Sequence, residues 1–299
     1  MVKKGKLNVN LLPAIKKLEL ATKKMAVSRM IGEYASIFKG RGIEFSGYRE
    51  YTTNDDASLI DWKASARANE VLIREYTPEK NINVFFLLDS SHNMVFGSTQ
   101  KLKIEYAVEL VAALANAVLN GGNNAGVALF DSELRLRVYP SQGMKQYHII
   151  INELVKGNYY GGAGYDIEKA LKFVMNYLDE GSILIIVSDF IGCVPGWEQK
   201  LKMSAGKFDV IAMMVRDPLD STLPTGIGQV VLQDPFSKSQ VVINPELVKD
   251  VYEDVIREQE RMLEKNFLEA GVDFLKLTTD KDFIHPVIGL FNERISRWR

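Results

Sequence analysis

Residues 83–94 have the sequence Asn-Val-Phe-Phe-Leu-Leu-Asp-Ser-Ser-His-Asn-Met. The apolar run from Val84 to Leu88 is too short for a buried helix and too unbroken for a strand with one exposed face. It therefore predicts a central strand covered on both faces, as in a parallel sheet. Because ligands bind in open α/β sheets just beyond the carboxyl ends of the strands, we expect a functional site at Asp89 and the polar residues after it.

The composition is that of a globular protein that works in a reducing compartment. Of the 299 residues, 46% are hydrophobic and 25% are charged, and the formal net charge is -1. The nearly balanced charge argues against nucleic acid as a partner of the whole chain. Cys193 is the single cysteine, so no intramolecular disulfide is possible. Because no apolar run resembles a signal peptide or a membrane span, we predict a cytoplasmic protein.

Three parts are predicted along the chain. Residues 1–39 form a basic segment in which apolar residues from Pro13 to Met25 fall near one face of a helix. Two interpretations of this helix stay open: docking on the protein, or an electrostatic contact with nucleic acid or an anionic surface. Residues 40–80 contain turn-forming glycines and an Asn-Asp-Asp cluster, which predict a β-rich extension packed on the main domain. The main domain comprises residues 81–299.

In the main domain, apolar strands alternate with amphipathic helices. This pattern predicts a doubly wound, mostly parallel sheet with right-handed crossovers. The segment Leu134–Tyr139 follows the strand Ala125–Phe130 too closely for a crossover connection. We therefore expect one antiparallel strand at the edge of the sheet.

Capping residues predict the ends of two helices. Ser98 is expected to cap a helix from about Lys101 to Leu119. Pro245 is expected to open a long helix that Gly271 ends. That helix has four apolar side chains on one face: Val248, Val251, Val255 and Met262.

A second buried strand, in residues 182–188, also ends in an acid, Asp189. If the two strands are neighbours, Asp89 and Asp189 face one another across the crevice. Mg²⁺ prefers oxygen ligands and takes one or two carboxylates together with water or other oxygens. The hydroxyl of Ser91 and the amide oxygen of Asn93 follow closely after Asp89. These four residues are therefore the predicted metal ligands.

The same loops resemble the metal-ion-dependent adhesion site of the von Willebrand factor A fold. The first loop of that family, Asp-x-Ser-x-Ser, corresponds to residues 89–93, with asparagine at the last position. The second loop, Gly-Gly-Thr-Asp, corresponds to residues 163–166, where Tyr165 replaces the threonine and Asp166 is kept. Asp189 matches the third loop. The resemblance implies a von Willebrand factor A-like fold, a possible Mg²⁺ cofactor, and partner contacts near the metal by His92, Tyr165 and Asp166.

The segment upstream of this domain points to a more specific family. From about Gly40 to the C-terminus the chain is similar to the prokaryotic domain-of-unknown-function family fifty-eight, whose members commonly accompany MoxR-type AAA ATPases. The shared blocks are Gly42–Phe45, Tyr48–Tyr51, Asp55-Asp56, Ile60–Lys63 and Ala66–Arg67. The resemblance implies a non-catalytic interaction module that works with a MoxR-type ATPase and with a protein ligand presenting a carboxylate.

Two other functions stay open. One is a Mg²⁺-dependent phosphohydrolase with an aspartate nucleophile, but such enzymes need a second aspartate two residues after the first, where this chain has Ser91. The other is an adaptor that contacts nucleic acid or a membrane surface through the basic residues 1–39. We favour the interaction module, and no enzymatic activity, because no general base, nucleophile pair or phosphate-binding loop can be assembled from the motifs.

Overall fold

The computed structural model describes residues 45–52, 55, 60–68, 70–76, 81–233 and 239–298. The basic segment of residues 1–39 and its predicted amphipathic helix lie outside these residues.

The segment upstream of the main domain forms a small antiparallel sheet. Strand β1 (Phe45–Glu50) pairs with strand β2 (Leu72–Tyr76), and helix α1 (Trp62–Ala68) connects them. The side chain of Asp61 accepts hydrogen bonds from the amides of Lys63 and Ala64, at 3.0 and 3.1 Å. Asp61 therefore begins α1 by pairing with amides that have no partner inside the helix.

Strands and helices alternate through the rest of the chain. The strands are β3 (Asn83–Asp89), β4 (Asn124–Phe130), β5 (Leu134–Ser141), β6 (Ile183–Ser188), β7 (Asp209–Arg216), β8 (Val230–Gln233), β9 (Gln240–Ile243) and β10 (Asp273–Thr278). The helices are α2 (Lys103–Asn120), α3 (Gly143–Leu154), α4 (Ile167–Tyr177), α5 (Trp197–Lys207), α6 (Pro218–Ser221), α7 (Pro245–Glu269) and α8 (Ile284–Trp298).

The main sheet has six strands in the order β10-β7-β6-β3-β4-β5. Strand β3 pairs in parallel with both β4 and β6, so it lies in the centre of the sheet. Its side chains from Val84 to Leu88 are at most 2% exposed. Strand β5 pairs with β4 in antiparallel orientation at one edge. The prediction of a doubly wound, mostly parallel sheet with one antiparallel edge strand is confirmed.

Alternating side chains of β3 enter two separate cores. Val84, Phe86 and Leu88 pack in the core that includes α2, whereas Phe85 and Leu87 pack in the core that includes α4. Because both faces of the sheet are covered, the polar chemistry of this domain is concentrated at the ends of the strands.

The predicted cap at Ser98 is wrong. The backbone amide and the hydroxyl of Ser98 both donate to the carboxylate of Asp217, at 2.7 and 2.5 Å. Helix α2 instead begins at Lys103, after Leu102, whose amide donates to Glu105 Oε2 at 3.0 Å. Ser98 does not cap the helix because a tertiary partner, distant in sequence, takes its hydrogen bonds.

Helix α7 has the ends that were predicted. Gly271 follows it with a φ of +70°, and the amide of Val272 returns to the carbonyl of Phe267 at 2.9 Å. Glycine suits this left-handed position because it has no Cβ. The four apolar side chains of the predicted face are exposed: Val248, Val251, Val255 and Met262. In the described part of the chain, no helix combines the length and the apolar character that a membrane crossing requires.

Candidate functional site at the carboxyl end of the sheet

Asp89 and Asp189 follow neighbouring strands at the same end of the sheet. Strands β3 and β6 are parallel, with Leu88 opposite Val187, so both acids lie where these strands end. Both residues are 0% exposed. The carboxylates are close enough for the charge of Asp189 to raise the pKa of Asp89. The two acids therefore share one crevice, in the arrangement that the strand pattern predicts.

Both oxygens of Asp89 accept hydrogen bonds. Oδ1 accepts from the amide of Ser91 at 2.8 Å, and Oδ2 accepts from the hydroxyl of Ser188 at 2.7 Å. Burial and the charge of Asp189 outweigh these bonds and raise the pKa of Asp89 from 3.8 to about 7. The buried hydroxyl of Ser91 makes no hydrogen bond of standard geometry, although it lies near enough to Asp89 to help stabilise the carboxylate.

Asp189 is bound to a buried lysine. The ammonium of Lys103, the first residue of α2, lies 2.7 Å from Asp189 Oδ2 and 2.9 Å from Asp220 Oδ2. The other oxygen of Asp189 accepts from the amide of Ile191 at 2.9 Å. Burial acts to lower the pKa of Lys103, but the charges of Asp189 and Asp220 outweigh it and raise that pKa above its usual value. The lysine is therefore charged at neutral pH.

Backbone contacts hold the first two loops together. The amide of Gly161 donates to the carbonyl of Ser90, and the amide of His92 donates to the carbonyl of Gly162, both at 3.0 Å. Gly162 is required here because a Cβ at this position would lie 1.7 Å from Oδ2 of the buried Asp131. The glycine-rich segment 161–166, which includes the second loop, therefore packs against the turn after β4 and lies beside the first loop.

The remaining predicted residues of the first loop lie at the mouth of the crevice. His92 and Asn93 belong to a short 3₁₀ turn, His92–Val95. The amide nitrogen of Asn93 lies 3.4 Å from the carbonyl oxygen of Ile191, so it connects the first loop with the third. Both residues line a cavity, which leaves them in reach of a ligand.

The two predicted residues of the second loop have different positions. The hydroxyl of Tyr165 lies 3.2 Å from Ser188 Oγ and 3.8 Å from the sulfur of Cys193. Asp166 is the N-cap of α4, where its side chain accepts from the amide of Lys169 at 2.8 Å. Asp166 therefore has a structural role in beginning the helix, and its predicted contact with a partner stays a prediction, as does that of Tyr165.

The cavity beside the first and third loops has a volume of about 600 Å³. It combines the charged end of the sheet with apolar residues from the segments before and within the β8–β9 hairpin. Its lining residues are His92, Asn93, Val95, Phe96, Lys103, Ile191, Leu219, Asp220, Leu223, Pro224, Ile227, Val230, Leu232, Gln233 and Tyr252. This mixture of a few polar groups and many apolar ones is typical of a binding pocket.

The predicted Mg²⁺ ligands do not fit a magnesium site well. Both oxygens of Asp89 and both oxygens of Asp189 already accept hydrogen bonds, and the bond to Asp189 Oδ2 comes from the charged ammonium of Lys103. In the described residues, no three His, Cys, Asp or Glu side chains are grouped so that they could hold a metal ion. A fixed ammonium beside Asp189 also repels a second cation.

Sequence reasoning did not identify Lys103, Ser188 and Asp220 as members of the site. One signal for Lys103 was available: it stands at the first position of a helix, where the positive end of the dipole disfavours a cation by about 0.3–1 kcal/mol. Ser188 directly precedes Asp189 at the end of a buried strand. Asp220 belongs to the four-residue helix α6, which leaves no periodic pattern in the sequence.

The chain matches the family model described as "Protein of unknown function DUF58" over residues 47–262. An uncharacterized protein of Mycobacterium tuberculosis is 26% identical over 280 residues, which cover 92% of this chain and 87% of that protein. The uncharacterized protein YeaD of Bacillus subtilis is 29% identical over 99 residues, which cover 33% of this chain and 22% of that protein.

Two solved structures are similar in fold. They are an aerotolerance-related membrane protein of Bacteroides fragilis with multiple mutations to serines, and the conserved hypothetical protein BatB of Bacteroides thetaiotaomicron. Each is 16% identical and covers 73% of this chain and 100% of the solved chain, with TM-scores of 0.52 and 0.50. At this identity the likeness shows the fold alone, which is von Willebrand factor A-like. Because the family model matches more than half of its length, the chain belongs to the DUF58 family of proteins of unknown function.

Proposed function

We propose that this protein is a non-catalytic interaction module of the cytoplasm, and that a MoxR-type AAA ATPase binds at the crevice and the adjoining cavity. The observation that carries the proposal is the position of the cavity, at the carboxyl end of the sheet where α/β folds bind their ligands. Membership of the DUF58 family and the von Willebrand factor A-like fold support an interaction role.

The surface around the cavity is unusually apolar. Ile227 and Leu232 line the cavity and are 57% and 43% exposed, and Val231, Val241 and Val242 of the same hairpin are also exposed. Exposed apolar groups that adjoin a pocket are typical of protein interaction sites. A partner that covers the hairpin would bury these side chains and reach into the cavity.

The charged end of the cavity favours a partner that also presents a polar group. Lys103 and His92 are the basic side chains in its lining, and Asp220 is the acidic one. A carboxylate of the partner would be placed beside His92, because the ammonium of Lys103 is already paired with Asp189 and Asp220. Charge complementarity of this kind contributes mainly to specificity and to the rate of association.

The phosphohydrolase alternative is less well supported by the geometry. Such an enzyme needs an exposed aspartate nucleophile and a second acid two residues later. Asp89 is 0% exposed, and the second position holds the hydroxyl of Ser91. The adaptor alternative depends on residues 1–39, and a steep dependence of binding on salt concentration would be its signature.

Binding to a purified MoxR-type AAA ATPase tests the proposal. We expect Ile227→Glu and Leu232→Glu to weaken binding at least about tenfold, or about 1.4 kcal/mol, because each places a charge on the apolar rim of the cavity. Met203→Glu is the matched control, because Met203 is also 57% exposed but lies on α5 and does not line the cavity. Equal binding by all four proteins would remove the cavity as the docking site.

Substitutions of the buried Asp89 test the same proposal in the ATPase-binding experiment. We expect Asp89→Ala to weaken capture of the ATPase without unfolding the domain, which circular dichroism can check. Asp89→Asn keeps the shape of the side chain and separates loss of charge from loss of packing. Capture that is unchanged in both variants would remove Asp89 from the proposed site.

A further inference from the structure

The crevice contains a buried lysine, Lys103, that the sequence did not predict. Its side chain is 1% exposed, and its ammonium contacts Asp189 and Asp220, which are distant from it in sequence. The ring of Phe96 covers it, with its centroid 5.8 Å from Nζ. A buried ammonium is strongly destabilising unless acids pair with it. The lysine and the two acids therefore form one unit.

We propose that the ammonium of Lys103 is the resident cation of this site and takes the place that a divalent metal has in related crevices. It neutralises Asp189 and connects the end of β6 with α2 and α6. The inference rests on the site used in the proposed function and adds that partner binding there is independent of divalent metal.

The location of Lys103 in its helix supports this role. It is the first residue of α2, where unpaired amides and the positive end of the dipole favour an acid. A lysine at this position is explained by its acidic partners. As a compact charge on a flexible stem, an ammonium can approach two carboxylates from different elements, whereas the planar guanidinium of arginine is suited to a single bidentate partner.

Competition for Asp189 explains why a metal would be excluded. Mg²⁺ requires near-octahedral oxygen ligands at about 2.0–2.1 Å. Each oxygen of Asp189 already accepts one hydrogen bond, from Lys103 and from Ile191. A divalent ion on Asp189 would lie within a few ångströms of the ammonium, and the two cations would repel one another in a poorly solvated crevice.

Removal of the lysine should reverse this preference. Lys103→Met keeps an unbranched side chain of similar length but removes the charge, so the buried Asp189 and the partly buried Asp220 would lose the cation that they share. Without the ammonium, the charge of Asp189 is opposed by that of Asp89 on one side and of Asp220 on the other, and a divalent ion bound by carboxylate, hydroxyl and water oxygens would relieve that repulsion. We therefore expect the variant to gain a metal site that the natural protein does not have.

Metal titrations of the full chain, without any partner, test the inference. Mn²⁺ binding is followed by its electron paramagnetic resonance signal, and the Tm is measured with Mg²⁺ and with a chelator. We expect no saturable Mn²⁺ binding and no change of Tm in the natural protein. We expect the same for Lys101→Met, the control, because the side chain of Lys101 is 42% exposed and pairs with Glu109 instead of Asp189 or Asp220. In Lys103→Met we expect saturable Mn²⁺ binding and a Tm that rises with metal.

Saturable Mn²⁺ binding by the natural protein that is lost in Asp89→Asn or Ser91→Ala would overturn the inference. If Lys103→Met does not fold, Lys103→Met/Asp220→Asn removes one of the three acids and is titrated instead. Failure of that variant to bind Mn²⁺ would also count against the inference. Because the titrations contain no ATPase, their outcome is separate from that of the docking experiment.

Discussion

The hydroxyl of Ser188, on β6, donates a 2.7 Å hydrogen bond to Oδ2 of Asp89, at the end of β3. Both residues are 0% exposed. Hydrogen bonds to charged groups contribute about 1.5–3 kcal/mol to stability. We therefore expect Ser188→Ala to lower the free energy of unfolding by an amount in that range at pH 8, where most of the Asp89 population is charged. Urea denaturation measures the difference.

The control for this substitution is Ser204→Ala on α5. Ser204 is also 0% exposed, but its hydroxyl has no hydrogen-bond partner in the part of the chain that the structure describes. Its removal should change the free energy of unfolding by much less than that of Ser188. Similar losses in the two variants would mean that the bond to Asp89 contributes nothing measurable.

The raised pKa of Asp89 predicts that stability depends on pH. Burial and Asp189 raise this pKa from 3.8 to about 7, so between these values the folded protein holds a proton that the unfolded chain releases. Stability from this group is therefore fully present below about pH 4 and is lost as the pH rises through 7. The slope approaches about 1.4 kcal/mol per pH unit within that window.

Asp89→Asn isolates this effect from the other carboxyl groups. The difference in the free energy of unfolding between the natural protein and the variant should decrease as the pH rises from 4 to 7, and then become constant. Urea denaturation at several pH values gives this difference. A difference that stays constant over the whole range would show that Asp89 has an ordinary pKa in the folded protein.

The fold was predictable because its signals are local. The runs Val84–Leu88 and Ile183–Val187 are each covered on both faces, so neither contains a polar position that would obscure a parallel strand. The spacing between β4 and β5 excluded a crossover, and this alone identified the antiparallel edge. Because Asp89 and Asp189 each follow one of these two parallel strands, their position at one end of the sheet could also be predicted.

The electrostatic partners of the site were not predictable in the same way. Lys103 contacts acids 86 and 117 residues further along the chain, and no periodic pattern connects such distant positions. Ser98 failed as a helix cap for the same reason, because Asp217 competes for its hydrogen bonds. The hydrogen-bond partner of a polar side chain therefore depends on the packing of the whole domain, and a local sequence pattern does not determine it.

Cys193 should be a poor nucleophile. Burial raises the pKa of its thiol to about 12. The negative charges of Asp189 and Asp89 also raise this pKa, and a contact with the hydroxyl of Tyr165 lowers it by less than burial raises it. Because only the thiolate reacts, we expect the native protein to react with iodoacetamide at pH 8 at least about a hundredfold more slowly than the protein unfolded in urea. Mass spectrometry follows the reaction. Comparable rates in the two states would contradict the raised pKa of this partly buried thiol.

The contact between Gly162 and Asp131 predicts that the second loop does not tolerate a side chain. A Cβ at position 162 would lie 1.7 Å from Asp131 Oδ2, whereas a Cβ at Gly206, on α5, would meet nothing within 4 Å. We expect Gly162→Ala to lower the free energy of unfolding by about 1–3 kcal/mol through overpacking. Gly206→Ala, the control, should raise it by about 0.5–1 kcal/mol, because alanine is favoured over glycine inside a helix. Urea denaturation of both variants measures these changes. An unchanged free energy of unfolding in Gly162→Ala would mean that the loop can move away from Asp131 without cost.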